Sequence, residues 1–205
     1  VETFMYLYHP QFDGVLNYIN DNNGKIYSVI CRFGMPPIEE PGFRNNKNLG
    51  GGAFWDIASY PVSAVVKLFA NQNVKILFSE ILRRDNSSVD NGGRAILRFS
   101  GGPTAYLEWG VGIGYKNEID IWSEKGSFFT DKIFSKPTNF QTRYQIRDLK
   151  GNENIKAGPI SEQFEDMFHF FYDIYYSSDL IQKEYELILN RARIMDQIIS
   201  DTKID

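Results

Sequence analysis

The sequence predicts an α+β fold: an open, mostly antiparallel β-sheet with helices packed on one face. Three observations carry this. Between Val74 and Lys150 a series of segments alternates apolar and polar residues with period two, and short turn sequences join them. Helical spacing occupies both ends of the chain, around that run of strands. Helices segregated from strands in this way pack together on one face of the sheet. The 205 residues, 42% hydrophobic and 15% aromatic, suffice for one domain with a sizeable core, spanning 1–205.

In chain order, Phe12, Val15, Leu16 and Ile19 fall at helical spacing, and "DNNG" ends that helix. "KIYSVICRFGMPP" is β-branched and aromatic and reads as a strand. "IEEPGFRNNKNLGGG", about 15 residues, is long for a connection, and such loops are often functional. A helix follows from about Ala53 to Ala70. Then come "VKILFSEILRR", "GRAILRFS", "TAYLEWGVGIG", "EIDIWSEKGSFFTDKIF" and "RYQIRDLK", joined by "DNSSVDNGG", "GGP" and "EKG". Joints this short imply antiparallel strands. The chain closes with two helices. The first sets Phe164, Phe168, Phe171 and Tyr175 on one side with Ser161 as N-cap; the second sets Ile181, Ile188, Met195 and Ile199 in a stripe. With Leu97, Phe99, Leu107 and Trp109 inward, the open sheet face shows Ile96, Arg98, Tyr106 and Glu108. That mixture of apolar and charged groups favours self-association, and a homodimer through this face is expected.

Composition excludes several classes. The net charge of −4, from 22 basic and 26 acidic residues, argues against a nucleic-acid surface. No stretch approaches the ~20 apolar residues of a membrane span, and "VETFMYLYHP" has no signal-peptide pattern. Val1 in place of methionine reads as a processed or engineered start. Cys31 is the only cysteine; it lies in an apolar strand, is expected to be a buried inert thiol, and points to the cytoplasm. His169, with Asp166 and Asp173, reads as a solvated helix face, and no metal-ligand cluster is found.

The segment "GGGAFWDIASYP", residues 50–61, raises the chemical question. Positions four apart share a helix face, so Asp56 and Tyr60 point the same way. Pro61 removes one amide inside the helix and predicts a kink or a loosened turn beside them. Gly50, Gly51 and Gly52 let the backbone approach another group and leave the first helical amides open to an anion or polar ligand. Two readings of Tyr60 stay open. It is a core-edge aromatic whose hydroxyl binds backbone, or a general acid at a carbonyl oxygen, for which a nearby cation must lower its ordinary pKa of ~10. Lys67, two turns on, is too far to serve.

The motifs "FMY-x-x-HPQ" and "GGG-x-x-x-D-I-x-x-YP", with "GFRNN", the "EKGSF" hairpin and "NRARIMDQI", resemble the C-terminal domain of the Gfo/Idh/MocA family of nicotinamide-dependent sugar oxidoreductases. The resemblance covers essentially the whole chain. It implies a glyceraldehyde-3-phosphate dehydrogenase-like C-terminal domain, preceded in family members by a Rossmann domain that binds NAD or NADP. Neither that domain's glycine fingerprint nor its Glu-Lys-Pro motif is found here: Gly110, Gly112 and Gly114 read as a glycine-faced strand. The resemblance is to the tyrosine branch, similar to glucose–fructose oxidoreductase and the deoxysugar 3-ketoreductases. It implies that Tyr60 is the proton donor or acceptor at a sugar or nucleotide-sugar carbonyl and that Asp56 holds substrate or nicotinamide. It also implies that Arg44, His9, Gly51 and Gly52 line the cleft. Leu7 stands where many relatives carry arginine. A solvated Arg44 and a purely structural His9 are the competing readings. For the chain as a whole, the alternative is a non-catalytic sugar-binding or dimerisation module of the same fold.

Overall fold

The structure, a computed structural model, describes residues 2–21, 25–70, 72–84 and 86–202. Val1 and residues 22–24 of the "DNNG" stop lie outside the described residues. A short 3₁₀ turn, Met5–Leu7, leads into helix α1, Pro10–Asp21, and then strand β1, Ile26–Met35. The following loop coils through 3₁₀ turns at Gly42–Asn45 and Lys47–Leu49. The helix expected from Ala53 is two pieces: a π-turn, Phe54–Ala58, and α2, Ser59–Leu68. Pro61 thereby falls in the first turn of α2, where a missing amide costs least. The widened turn sits where a proline inside a helix calls for one.

Seven strands follow: β2 Val74–Leu82, β3 Gly92–Phe99, β4 Thr104–Val111, β5 Lys116–Ser123, β6 Gly126–Asp131, β7 Arg143–Arg147 and β8 Glu153–Ala157. The eight-stranded sheet has the order β2-β3-β4-β1-β5-β6-β7-β8. β1 lies between β4 and β5, parallel to β4 and antiparallel to β5. So β4 and β5, though joined by a four-residue turn, run in opposite directions without pairing. The sequence reading did not anticipate β8, a short strand whose residues are all exposed, paired with β7. Gly112 and Gly114 belong to the turn after β4 rather than to a glycine-faced strand.

Val29, Cys31, Phe33, Leu97, Phe99, Leu107, Trp109, Ile119, Ile121 and Phe128 point from the sheet into the core. They meet α1, α2 and α4, Ser178–Ser200, through Phe12, Val15, Val62, Val65, Ile194 and Ile198. Burial raises the Cys31 thiol pKa, so it stays protonated. The other sheet face is open. There Phe78, Ile96, Tyr106 and Trp122 stand among the ion pairs Arg32–Glu108, Arg32–Glu118 and Arg94–Glu80.

Helix α3 spans Gln163–Tyr175, and its N-cap residue is Glu162, with no side-chain cap, rather than Ser161. Its buried residues are Gln163, Met167 and Ile174, whereas Phe164, Phe168 and Tyr175 of the expected stripe are exposed. Phe171 is partly buried and packs edge-on against Tyr8. In α4, Ile181 is exposed. The inward row there is Arg191, Ile194, Met195 and Ile198, with Leu187, Ile188 and Ile199 partly covered. No helix among the described residues is long and apolar enough to cross a membrane.

Candidate active site

The parallel pair β1 and β4 sends two loops, 36–52 and 112–115, to one edge of the sheet. The β2–β3 connection reaches the same edge, because Gly92 pairs with Gly110. A cavity of about 390 Å³ opens between them, walled by Pro41, Arg44, Asp56, Arg84, Asp90 and Gly112. It lies at the C-terminal ends of the parallel strands, where open α/β sheets commonly take ligands.

Two of the glycines join the loop to the helix start. A side chain at Gly51 would sit 2.5 Å from the Arg44 carbonyl oxygen and 2.6 Å from that of Phe43. Gly52, with φ +119°, has no room for a side chain beside the Asp90 carboxylate. The Gly52 amide donates to the Arg44 carbonyl at 2.9 Å. The Ala53 amide donates to the Asp90 carbonyl at 3.1 Å and the Phe54 amide to the Asp90 carboxylate at 2.7 Å. The anion position at this helix start is therefore filled from within the chain. Burial raises the Asp90 carboxyl pKa, and the Phe54 amide pulls it down. Gly52 lines the main cavity, whereas Gly51 faces a neighbouring one with Trp55 and Arg83.

This junction brings Arg44 to Asp56: Nε lies 2.6 Å from Oδ2 and Nη2 3.4 Å from Oδ1. Tyr60 stands one turn on. Its ring is enclosed by Phe4, Phe33, Tyr6 and Phe134, with centroids 5.0, 5.1, 6.0 and 6.1 Å away. Burial raises the phenol pKa, Asp56 raises it further and Arg44 lowers it. Arg44 is thus a cation within electrostatic reach of Tyr60. Lys67, as its spacing implies, is elsewhere; it lines a separate cavity between the helices with Leu7, Asp13, Asp166 and Glu184. Beneath Tyr60, the buried Tyr6 hydroxyl lies 2.6 Å from Ser63 Oγ and donates to the Tyr60 carbonyl at 3.1 Å.

The structure brings Arg44, Asp56, Tyr60 and Gly52 together. It puts His9 at the entry to α1, 1% exposed, with Nδ1 accepting from the Gln11 amide at 3.0 Å. Its charged neighbours are Lys136, in the β6–β7 connection, and Asp166 of α3. Tyr6 and Asp90 were not singled out from sequence. Tyr6 lies within the quoted "FMY" motif, but Asp90 sits in a stretch that reads only as a turn. His169 is exposed and 3.7 Å from Glu165. Among the described residues, no three His, Cys, Asp or Glu side chains converge as a metal ion would need.

The family model of the GFO/IDH/MocA C-terminal domain matches residues 20–129, more than half of the chain. The chain belongs to the GFO/IDH/MocA C-terminal domain family. Relatives include dTDP-3,4-didehydro-2,6-dideoxy-alpha-D-glucose 3-reductase of Actinomadura kijaniata, 27% identical over 97% of this chain and 59% of that protein. D-xylose 1-dehydrogenase (NADP(+)) 2 of Haloferax volcanii is 28% identical over 53% of this chain and 33% of that protein. The fold matches KijD10, a 3-ketoreductase from Actinomadura kijaniata solved with NADP and TDP-benzene. The TM-score is 0.88 at 24% identity, over 98% of this chain and 62% of that one. The chain thus spans about three-fifths of the length of that reductase.

Burial holds the His9 imidazole at a pKa of about 4, below its ordinary 6.5, with Lys136 adding to the effect. Between these values the unfolded chain binds the proton and the folded chain does not, so stability falls as pH drops from 6.5 to 4. The loss is on the order of 2–3 kcal/mol. Urea unfolding at stepped pH should show this fall in the wild type and a shallower one in His9→Gln. Equal slopes would remove His9 as the source.

Proposed function

We propose that this chain is the substrate-binding and catalytic half of an NAD(P)-dependent oxidoreductase acting on a sugar or nucleotide-sugar carbonyl or hydroxyl. The observation that carries the reading is the Arg44–Asp56 pair in the wall of an open cavity, within electrostatic reach of the Tyr60 phenol, which itself stands behind that wall among aromatic rings. The dinucleotide is held mainly by an N-terminal Rossmann domain outside these 205 residues. In support, the helix start at the cavity is occupied by Asp90 and offers no seat for dinucleotide phosphates. The residues present fit the reacting end of the cofactor and a sugar, not its phosphates.

The nicotinamide, when bound, supplies or accepts the hydride at the sugar carbon. Tyr60 handles the proton. Its phenol, with a pKa above the ordinary tyrosine value, is protonated at neutral pH and donates to the carbonyl oxygen in the reductive direction. Arg44, its charge shared with Asp56, offsets only part of the rise in the phenol pKa, and Asp56 fixes the Arg44 fork and presents its carboxylate to a substrate hydroxyl.

The open sheet face carries the assembly part of the proposal: a homodimer, sheet against sheet. Phe78, Ile96, Tyr106 and Trp122 give it an apolar centre, ringed by ion pairs that suit an interface rim. A cytoplasmic location fits the single, buried thiol.

Three measurements test these statements. In the protein carrying its Rossmann domain, Tyr60→Phe should lower turnover by on the order of 10²–10⁴ with little change in substrate binding. Unchanged turnover would leave Tyr60 a core-edge aromatic and favour a non-catalytic module of the same fold. Calorimetry of this chain with NADH or NADPH should show no binding near micromolar; a clear isotherm there would contradict the division of labour. Sedimentation equilibrium should find a dimer burying roughly 1,200–2,000 Å² or more, with Tyr106→Glu a folded monomer. A wild-type monomer, or a Tyr106→Glu dimer, would refute the sheet-face contact.

A further inference from the structure

Tyr6 is fully buried, yet it carries a hydroxyl where a phenylalanine would fill the same space. A buried hydroxyl is tolerated where it is hydrogen-bonded, and the bonds of this one converge on residue 60. Tyr6 Oη lies 2.6 Å from Ser63 Oγ and 3.1 Å from the Tyr60 carbonyl oxygen. Ser63, buried as well, donates to that same carbonyl at 2.7 Å. The Ser63 proton therefore goes to the carbonyl, and the Tyr6 proton is shared between Ser63 Oγ and the carbonyl. Burial keeps the Tyr6 phenol protonated, so it stays a donor.

The carbonyl held in this way sits where the widened turn Phe54–Ala58 gives way to α2. Pro61, the next residue, brings no amide to this junction. The Ser63 bond is local to the helix. Tyr6 comes from the turn Met5–Leu7, 54 positions earlier, and ties the junction from outside. Its ring also packs on the Tyr60 ring, with centroids 6.0 Å apart and planes 30° from parallel. Phe12 and Phe134 pin the Tyr6 ring edge-on at 5.4 and 5.1 Å. Among the described residues the Tyr60 hydroxyl has no hydrogen-bond partner. Its place is set by the Tyr60 backbone and the surrounding rings.

We infer that Tyr6, with Ser63, is a positioning residue for Tyr60: by fixing the Tyr60 carbonyl, the two hydroxyls set where the phenol stands. Tyr6 is wholly buried and does not itself meet a substrate. The effect on turnover rests on the reading of Tyr60 as the proton donor; the placement of the phenol does not.

The test is NMR of the 205-residue chain with its tyrosines isotope-labelled at the phenol carbon, the Tyr60 signal being assigned by its loss in Tyr60→Phe. Tyr6→Phe, which removes only the hydroxyl, and Ser63→Ala should each leave the chain folded. In both, the Tyr60 phenol should titrate nearer the ordinary tyrosine value than in wild type, because a looser ring admits water, and its ring should flip faster. Val15→Ala, a core truncation in α1, should lower the melting temperature and leave both Tyr60 readouts unchanged. In the protein carrying its Rossmann domain, Tyr6→Phe should lower kcat about 10-fold with KM little changed. The double variant should lose less than the product of the two single losses, because both hydroxyls act on one carbonyl. The inference is overturned if folded Tyr6→Phe keeps the wild-type titration and flip rate, or if Val15→Ala moves them as much. It is also overturned if Tyr6→Phe keeps wild-type kcat where Tyr60→Phe is slow. Should Tyr6→Phe fail to fold, Ser63→Ala decides on the same readouts. Unchanged turnover in Tyr60→Phe would instead overturn the proton-donor reading, and the Tyr60 signal would still report whether Tyr6 places it.

Discussion

The geometry at the cavity depends on how the start of the 54–58 turn is held. A helix start leaves its first amides without partners. Here two distant segments supply them: the Arg44 carbonyl takes the Gly52 amide, and Asp90 takes those of Ala53 and Phe54 through its carbonyl and carboxylate. A carboxylate at the positive end of a helix is favoured both by charge and by hydrogen bonding. The contact needs an absent side chain on each side, at Gly51 against the Phe43 and Arg44 carbonyls and at Gly52 against Asp90. With its carbonyl fixed there, Arg44 can reach back to Asp56. Position of the helix and pairing of its key side chain follow from one close approach.

The sheet brings those segments to the same place. Because β1 runs parallel to β4, the chain leaves both strands at the same edge, through Met35 and Val111. β2 ends there as well, and β3 begins there, so the loop with Arg84 and Asp90 faces the loop with Arg44. An all-antiparallel order, with β4 beside β5, would not bring the ends of β1 and β4 side by side. The placement of one strand thus decides which loops share a cavity.

That placement was not legible in the sequence. Period-two alternation marks strands and faces, and it assigned Leu97 and Leu107 inward and Arg98 and Tyr106 outward as they stand. It carries no information about which strand pairs with which, so β1 between β4 and β5 had no local signature. β8 was missed for a related reason: "ENIKA" buries nothing and exists as a strand through its pairing with the edge of β7. In α3 the reading failed because aromatics surround the helix. Several rows of Phe and Tyr fit a helical period, and the buried row runs through Gln163, Met167 and Ile174. At the site, the Asp56–Tyr60 spacing and the proline were readable because they are local. Asp90 is 36 positions from the amide it meets and Tyr6 is 57 from Ser63, distances at which a single sequence gives no cue.

The surroundings of Tyr60 constrain the chemistry it can perform. Four aromatic rings pack around it and leave it partly buried, which disfavours the phenolate. Arg44 opposes this, but its charge is already shared with Asp56 at 2.6 Å, so the phenol meets the field of a pair rather than of a free cation. The balance leaves the proton on the phenol. On the proposed reading, donation therefore starts from the protonated state that these surroundings favour. Abstraction is different: a phenolate at neutral pH requires another positive charge close to the Tyr60 oxygen. Arg44 cannot supply that charge while it remains paired with Asp56, and Lys67 lines another cavity. On the proposed reading of Tyr60 as the acid–base group, these surroundings favour giving a proton over taking one.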